Sequence, residues 1–154
     1  MKIGEALAQL KKEKSRLARL ISLRKDNIYV EKGKKTPFDP NALGEKISDK
    51  IENIRKLKVR IQRANLNTAL AEKGLSLTEA ILQVNDIRSK IAHLSNLFAE
   101  KREYSFKWRA KDEIEKIAQL DELEIEKEME ELEAEKTSLD NAIQIANWKT
   151  ELTN

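Results

Sequence analysis

The chain has 154 residues, with 30 Lys and Arg against 27 Asp and Glu, one His, no Cys, four Gly and two Pro. That length buries a core without help from disulfides or metals, and the lack of thiols excludes cysteine nucleophiles, disulfide frameworks and thiolate metal sites. Charged residues form 37% of the chain and break every apolar run before the roughly 18 residues that span a bilayer, while scarce Gly and Pro with abundant Leu, Ile, Ala, Glu and Lys favour long helices over sheet.

The net charge of +3 conceals an asymmetry. Residues 1–63 hold 18 Lys/Arg and 8 Asp/Glu, whereas residues 112–154 hold 4 and 14. Two readings follow. The extremes are solvated faces that partly neutralise one another, within the chain or between copies of it, or the basic part is a docking surface for an anion and the acidic part keeps its helix in water. Lys11, Lys12, Glu13 and Lys14 stand where a secretory signal needs an apolar run, so a signal peptide is not expected.

Apolar residues at Ile3, Leu7, Leu10, Leu17, Ile21 and Ile28 repeat at three and four and predict a first helix over 3–28. Lys14 and Arg24 interrupt that stripe and are expected to lay their methylenes on the core edge with their charge outward. Pro37 and Pro40 end the helix in a hairpin connection. Asp39 as N-cap with Pro40 at the first helical position starts a second helix, whose stripe runs from Leu43 to Ile61 and which is expected to continue to about Ala71.

Lys73 and Gly74 are expected to close that helix through a left-handed turn. Ser76-Leu77-Thr78-Glu79 has the form of a capping box and predicts a third helix from Leu77 to about Lys101. A fourth helix is expected from about Lys111 to Trp148, with a gap in its stripe at Glu135 and Lys136. Between them, Arg102 to Arg109 alternates aromatic with polar residues, and a small sheet with Ile28-Tyr29-Val30 is expected to join the two hairpin tips. Tyr29, Tyr104, Phe106, Trp108 and Arg109 thus form a candidate interaction tip. Stacking on bases and contact with a partner protein are alternative uses of the same aromatics.

Two internal echoes organise the chain. Ile61-Gln62-Arg63-Ala64-Asn65-Leu66-Asn67-Thr68-Ala69-Leu70 and Ile143-Gln144-Ile145-Ala146-Asn147-Trp148-Lys149-Thr150-Glu151-Leu152 agree at six of ten positions, offset by 82. Ile3, Glu5, Ala6, Gln9, Ser15, Ala18, Leu20 and Leu23 recur, offset by 74, as Leu77, Glu79, Ala80, Gln83, Ser89, Ala92, Leu94 and Leu97. The expected architecture is all-α: one helical domain, an antiparallel four-helix bundle made of two duplicated helical hairpins, 1–73 and 76–154. Asn65 and Asn147 fall beside the stripes at equivalent positions, where a buried, paired Asn fixes register. Trp148 is expected as a lid on the bundle end or an oligomer contact.

Little in the chain carries catalysis. His93, the single histidine, aligns with Arg19 and is expected to point outward; Lys90 stands where a carboxylate-bridged metal bundle needs Glu. There is no GxGxxG or GxxxxGK. No enzyme, cofactor or metal site is therefore expected. The expectation is an interaction or scaffold protein, self-associating or with a protein partner, and no membrane partner. One rival is an anion or nucleic-acid binder using Lys11, Lys12, Arg16, Arg19, Lys56, Lys58 and Arg60, and a second is a membrane-active bundle whose apolar faces open onto lipid.

Met1-Lys2-Ile3-Gly4-Glu5-Ala6-Leu7, Gly74-Leu75-Ser76-Leu77-Thr78-Glu79-Ala80, Tyr104-Ser105 and Ile143-Gln144-x-Ala146-Asn147-Trp148-x-Thr150-Glu151-Leu152 together resemble the DIP1984 family, also labelled septicolysin-like. The resemblance spans essentially the whole chain. It implies a small bacterial or phage helical bundle, cytoplasmic and of undefined biochemical function, and supplies no catalytic motif. The septicolysin label implies a membrane-active toxin, an expectation from which this sequence departs in having no insertion segment.

Overall fold

The computed structural model of the chain describes residues 1–98 and 117–152. Among these the secondary structure is four helices and one two-stranded sheet: α1 (Ile3–Asp26), α2 (Pro40–Asn67), β1 (Ala69–Leu70), β2 (Leu75–Ser76), α3 (Leu77–Asn96) and α4 (Glu122–Lys149). The class is an all-α helical bundle with a small antiparallel sheet.

Helix starts follow local chemistry. At α2 the Asp39 carboxylate accepts from the Asn41 N–H at 2.9 Å, with Pro40 supplying a preset φ and no orphan donor. At α3 the Ser76 hydroxyl accepts from the Glu79 N–H at 3.2 Å, and the Glu79 carboxylate accepts from the Ser76 N–H at 2.7 Å. These bonds hold the Glu79 carboxyl below its ordinary value, the bond from the Ser76 backbone most of all. At α1 half of that box is present: Glu5 accepts from the Lys2 N–H at 2.8 Å.

Several boundaries differ from expectation: α1 ends at Asp26 instead of about Ile28, and α3 ends at Asn96, with a turn at 97–98, instead of continuing toward Lys101. α2 stops at Asn67, where Thr68 turns extended, and the chain enters β1. Gly74 does adopt a left-handed φ of 65°, but it closes the turn between β1 and β2 instead of a helix end. α4 starts at Glu122: of the stretch expected to precede it in the fourth helix, 111–116 lies outside the described residues, while 117–121 are irregular and Asp121 accepts from the Leu123 N–H at 2.9 Å as a capping residue. No break occurs at Glu135 and Lys136, where helical hydrogen bonding continues through the gap in the stripe. The sheet lies between α2 and α3, while Ile28-Tyr29-Val30 is irregular. Its expected partner, 102–109, lies outside the described residues.

Two compact units can be distinguished. The first is Met1–Ala69 with Gln144–Asn154, and the second is Leu70–Ile143. In the first, α1 packs along α2, and the core takes Ile3 and Ala6 from α1, Leu43, Ile47, Ile54, Leu57, Ile61 and Ala64 from α2, and Ala146 and Leu152 from the carboxyl-terminal segment. That segment is tied to the start of α1 by backbone bonds, Ile3 N–H to the Thr150 carbonyl at 3.1 Å and Leu152 N–H to the Met1 carbonyl at 2.7 Å. In the second unit, Leu70, Leu77, Ala80, Val84, Ile87, Leu94, Leu139 and Ile143 are buried. Lys73 donates to the Ser138 hydroxyl at 2.7 Å and Gln83 to Glu135 at 2.8 Å, which aligns α3 with the second half of α4. Each large aliphatic side chain withdrawn from water contributes about 1.5 to 3 kcal/mol, far more than helix propensity, so these faces decide the packing.

Candidate interaction surfaces

The basic face of the first unit is built on α1 and α2. Lys11, Lys12, Arg16 and Arg19 are exposed on α1, as are Lys56 and Lys58 on α2, while Arg60 is half-buried. They do not form one uniform set of free cations. Arg16 donates to Glu13 at 2.8 Å, and Lys56 lies 2.9 Å from Glu52. Lys11, Lys12, Arg19 and Lys58 enter no ion pair among the described residues. Lys12, Arg16 and Arg19 share one flank of α1 by their spacing of four and three.

Glu13 is the pivot of this region. It accepts from Lys50 of α2 at 2.6 Å as well as from Arg16, bridging the two helices. The Lys50 bond, aided by Arg16, holds the Glu13 carboxyl below its ordinary value against the opposing effect of partial burial. The Arg24 guanidinium, expected to point outward, lies over Gly44 of α2, where an added Cβ would stand 3.0 Å from Cζ. Gly44 leaves room for that cation.

α1 also presents apolar surface. Only Ile3, Gly4 and Ala6, all in its first turn, are buried. Leu7 remains 40% and Ile21 49% exposed. Leu7, Lys14 and Ile21 recur every seven residues and so form one row, bordered a turn further along by Lys11 and Lys25. On α2, Ile51 and Val59 are exposed as well.

The second unit has an open groove of about 450 Å³ lined by Leu94, Ser95 and Phe98 from the end of α3 and just beyond it, and by Glu122, Ile125, Glu126 and Met129 from the first turns of α4. Its floor is apolar and α4 gives it carboxylates. Sequence reading missed it, although Leu94 with Phe98 and Ile125 with Met129 are i,i+4 apolar pairs at the two ends of one connection. His93 is exposed on α3. Among the described residues no group of three or more His, Cys, Asp or Glu could hold a metal ion, and no helix is long and apolar enough to cross a membrane.

Of the expected interaction tip, Tyr29 is 91% exposed. Tyr104, Phe106, Trp108 and Arg109 lie outside the described residues. Trp148 covers Gly4 at the start of α1, where an added Cβ would stand 2.9 Å from the indole, and it remains 56% exposed. Asn65 and Asn147 are both buried, each 7% exposed. Contrary to the expected pairing, the Asn65 Oδ1 has no hydrogen-bond partner.

Comparison with functionally curated proteins finds no match. Among solved structures, a functionally unknown conserved protein from Corynebacterium diphtheriae is similar, at 29% identity and a TM-score of 0.85, with 99% of each chain covered. Residues 9–152 match a family of unknown function, DUF6847. The chain belongs to that family.

Proposed function

We propose that this protein is a non-enzymatic helical-bundle interaction protein that self-associates, its helices serving as a scaffold. The observation that carries this reading is the apolar row on α1. Single exposed apolar residues are ordinary on any surface, but Leu7 and Ile21 stand two heptads apart on one face of a helix whose buried residues end at Ala6. On α1, Leu10, Leu17, Leu20 and Leu23 are half-buried while Leu7 and Ile21 stay exposed beside them, which leaves an apolar strip for a further helix to cover. Light scattering across a concentration series tests it. The apparent mass should rise above that of one chain, and a single-chain mass at every concentration would contradict it.

A second reading, anion or nucleic-acid binding, is favoured by Lys11, Lys12, Arg19 and Lys58, which are exposed and carry no ion pair among the described residues. Phosphate-driven binding weakens steeply with salt, whereas apolar self-association persists. Fluorescence anisotropy of a labelled single-stranded oligonucleotide at low and moderate salt separates the two. A flat isotherm at low salt removes the anion reading.

A further inference from the structure

We propose that the surface engaged in self-association is not a like-with-like seam: the basic apolar row of α1 in one copy seats on the acidic apolar groove at the α3–α4 end of another. This inference rests on the self-association reading and specifies its partner surface.

The two surfaces are complementary in kind. On α1 the row of Leu7 and Ile21 carries Lys14 within it and Lys11 beside it, and neither lysine has an ion pair among the described residues. The groove offers an apolar floor in Leu94, Ile125 and Met129, with Glu126 lining it and Glu130 one turn further along α4. Neither Glu126 nor Glu130 has an ion pair among the described residues. The flanking chain strengthens the contrast, since residues 1–63 hold 18 cations to 8 anions and residues 112–154 hold 4 to 14.

Charge then selects among the possible pairings. Two α1 rows brought together would set lysines against lysines, and two grooves would set glutamates against glutamates. Both are repulsive, and the desolvation that accompanies contact sharpens the repulsion. The unlike pairing covers apolar area on both sides and places opposite charges at its edges. Because each copy carries both surfaces, two copies can engage reciprocally, or successive copies head to tail, which closes a ring or extends a chain according to the rotation between them.

Complementation by charge reversal tests the inference. One variant carries Lys11→Glu with Lys14→Glu, the other Glu126→Lys with Glu130→Lys. All four positions are exposed, and circular dichroism checks that both variants fold. In native mass spectrometry each variant alone should lose at least tenfold in association relative to the unchanged protein. An equimolar mixture should recover complexes that contain both variants, because the acidified α1 of one now faces the basified groove of the other. Variants that self-associate like the unchanged protein, or a mixture that fails to form mixed complexes, would overturn this pairing while leaving self-association standing. An unchanged protein that stays a single chain at every concentration would overturn both.

Discussion

Ile3 and Leu77, 74 positions apart, are the two largest side chains fully withdrawn from solvent among the described residues, each at the first position of its helix. Ala6 and Ala80, at the same separation, are also at 0% exposure. At the other offset, 82, Asn65 and Asn147 are the buried polar residues among those described. The isolated antiparallel backbone β-bridge between Lys2 and Glu151 maps by these offsets onto positions 76 and 69, which lie in β2 and β1. We infer from these correspondences that the chain arose by duplication of a helical hairpin. Truncation at the matched sites should then cost alike: Ile3→Ala and Leu77→Ala should each lose about 3 kcal/mol in urea unfolding. A near-neutral result at either site would separate the halves.

Asn65 offers a test of what its buried amide does. An acceptor without a partner costs about 1 to 3 kcal/mol, and an apolar side chain of similar size removes that cost. Asn65→Leu should therefore raise the thermal midpoint. A lowered midpoint would show that the amide contributes bonding that its geometry does not reveal.

Gly4 is required by the indole above it. An added methyl would stand 2.9 Å from the Trp148 ring, and Trp148 is exposed enough to swing outward. In a Trp108→Phe background, Gly4→Ala should shift tryptophan emission to longer wavelength and cost about 1 kcal/mol, overpacking outweighing the gain in helix propensity. Unchanged emission would mean that the indole does not rest there in solution.

The Glu13–Lys50 bridge sets a pH dependence of definite sign. The folded state holds the Glu13 carboxyl below its ordinary value, chiefly through Lys50. Its contribution to stability is fully present above the ordinary carboxylate value and is lost as pH falls through the lowered folded value. The thermal midpoint should fall on acidification through that range, and Glu13→Gln should flatten that limb of the curve. An identical acid limb in the variant would remove Glu13 from the account.

Helix starts were legible in the sequence because capping is local chemistry: Asp39-Pro40 and Ser76 with Glu79 act on their own first turn. Helix ends were less so. The apolar stripe of α2 runs on past Asn67 through Leu70, and periodicity does not register that Thr68 turns extended to enter a hairpin. The start of α4 was less legible because Ile117 continues its apolar period, while Asp121-Glu122 is the local start signal. The charge asymmetry could be read directly. Which cations are paired could not, because Glu13 meets Lys50 only through the packing of α1 on α2. The groove was hidden for a related reason, since its lining is gathered from two helices.

The central claim, that an open seam on α1 drives self-association, is tested most directly by sedimentation velocity on the unchanged protein and on Ile21→Gln. The unchanged protein should show a sedimentation coefficient that rises with concentration, and Ile21→Gln should remain at the single-chain value over the same range. A concentration-independent single-chain value for the unchanged protein, or equal association by the variant, would contradict it.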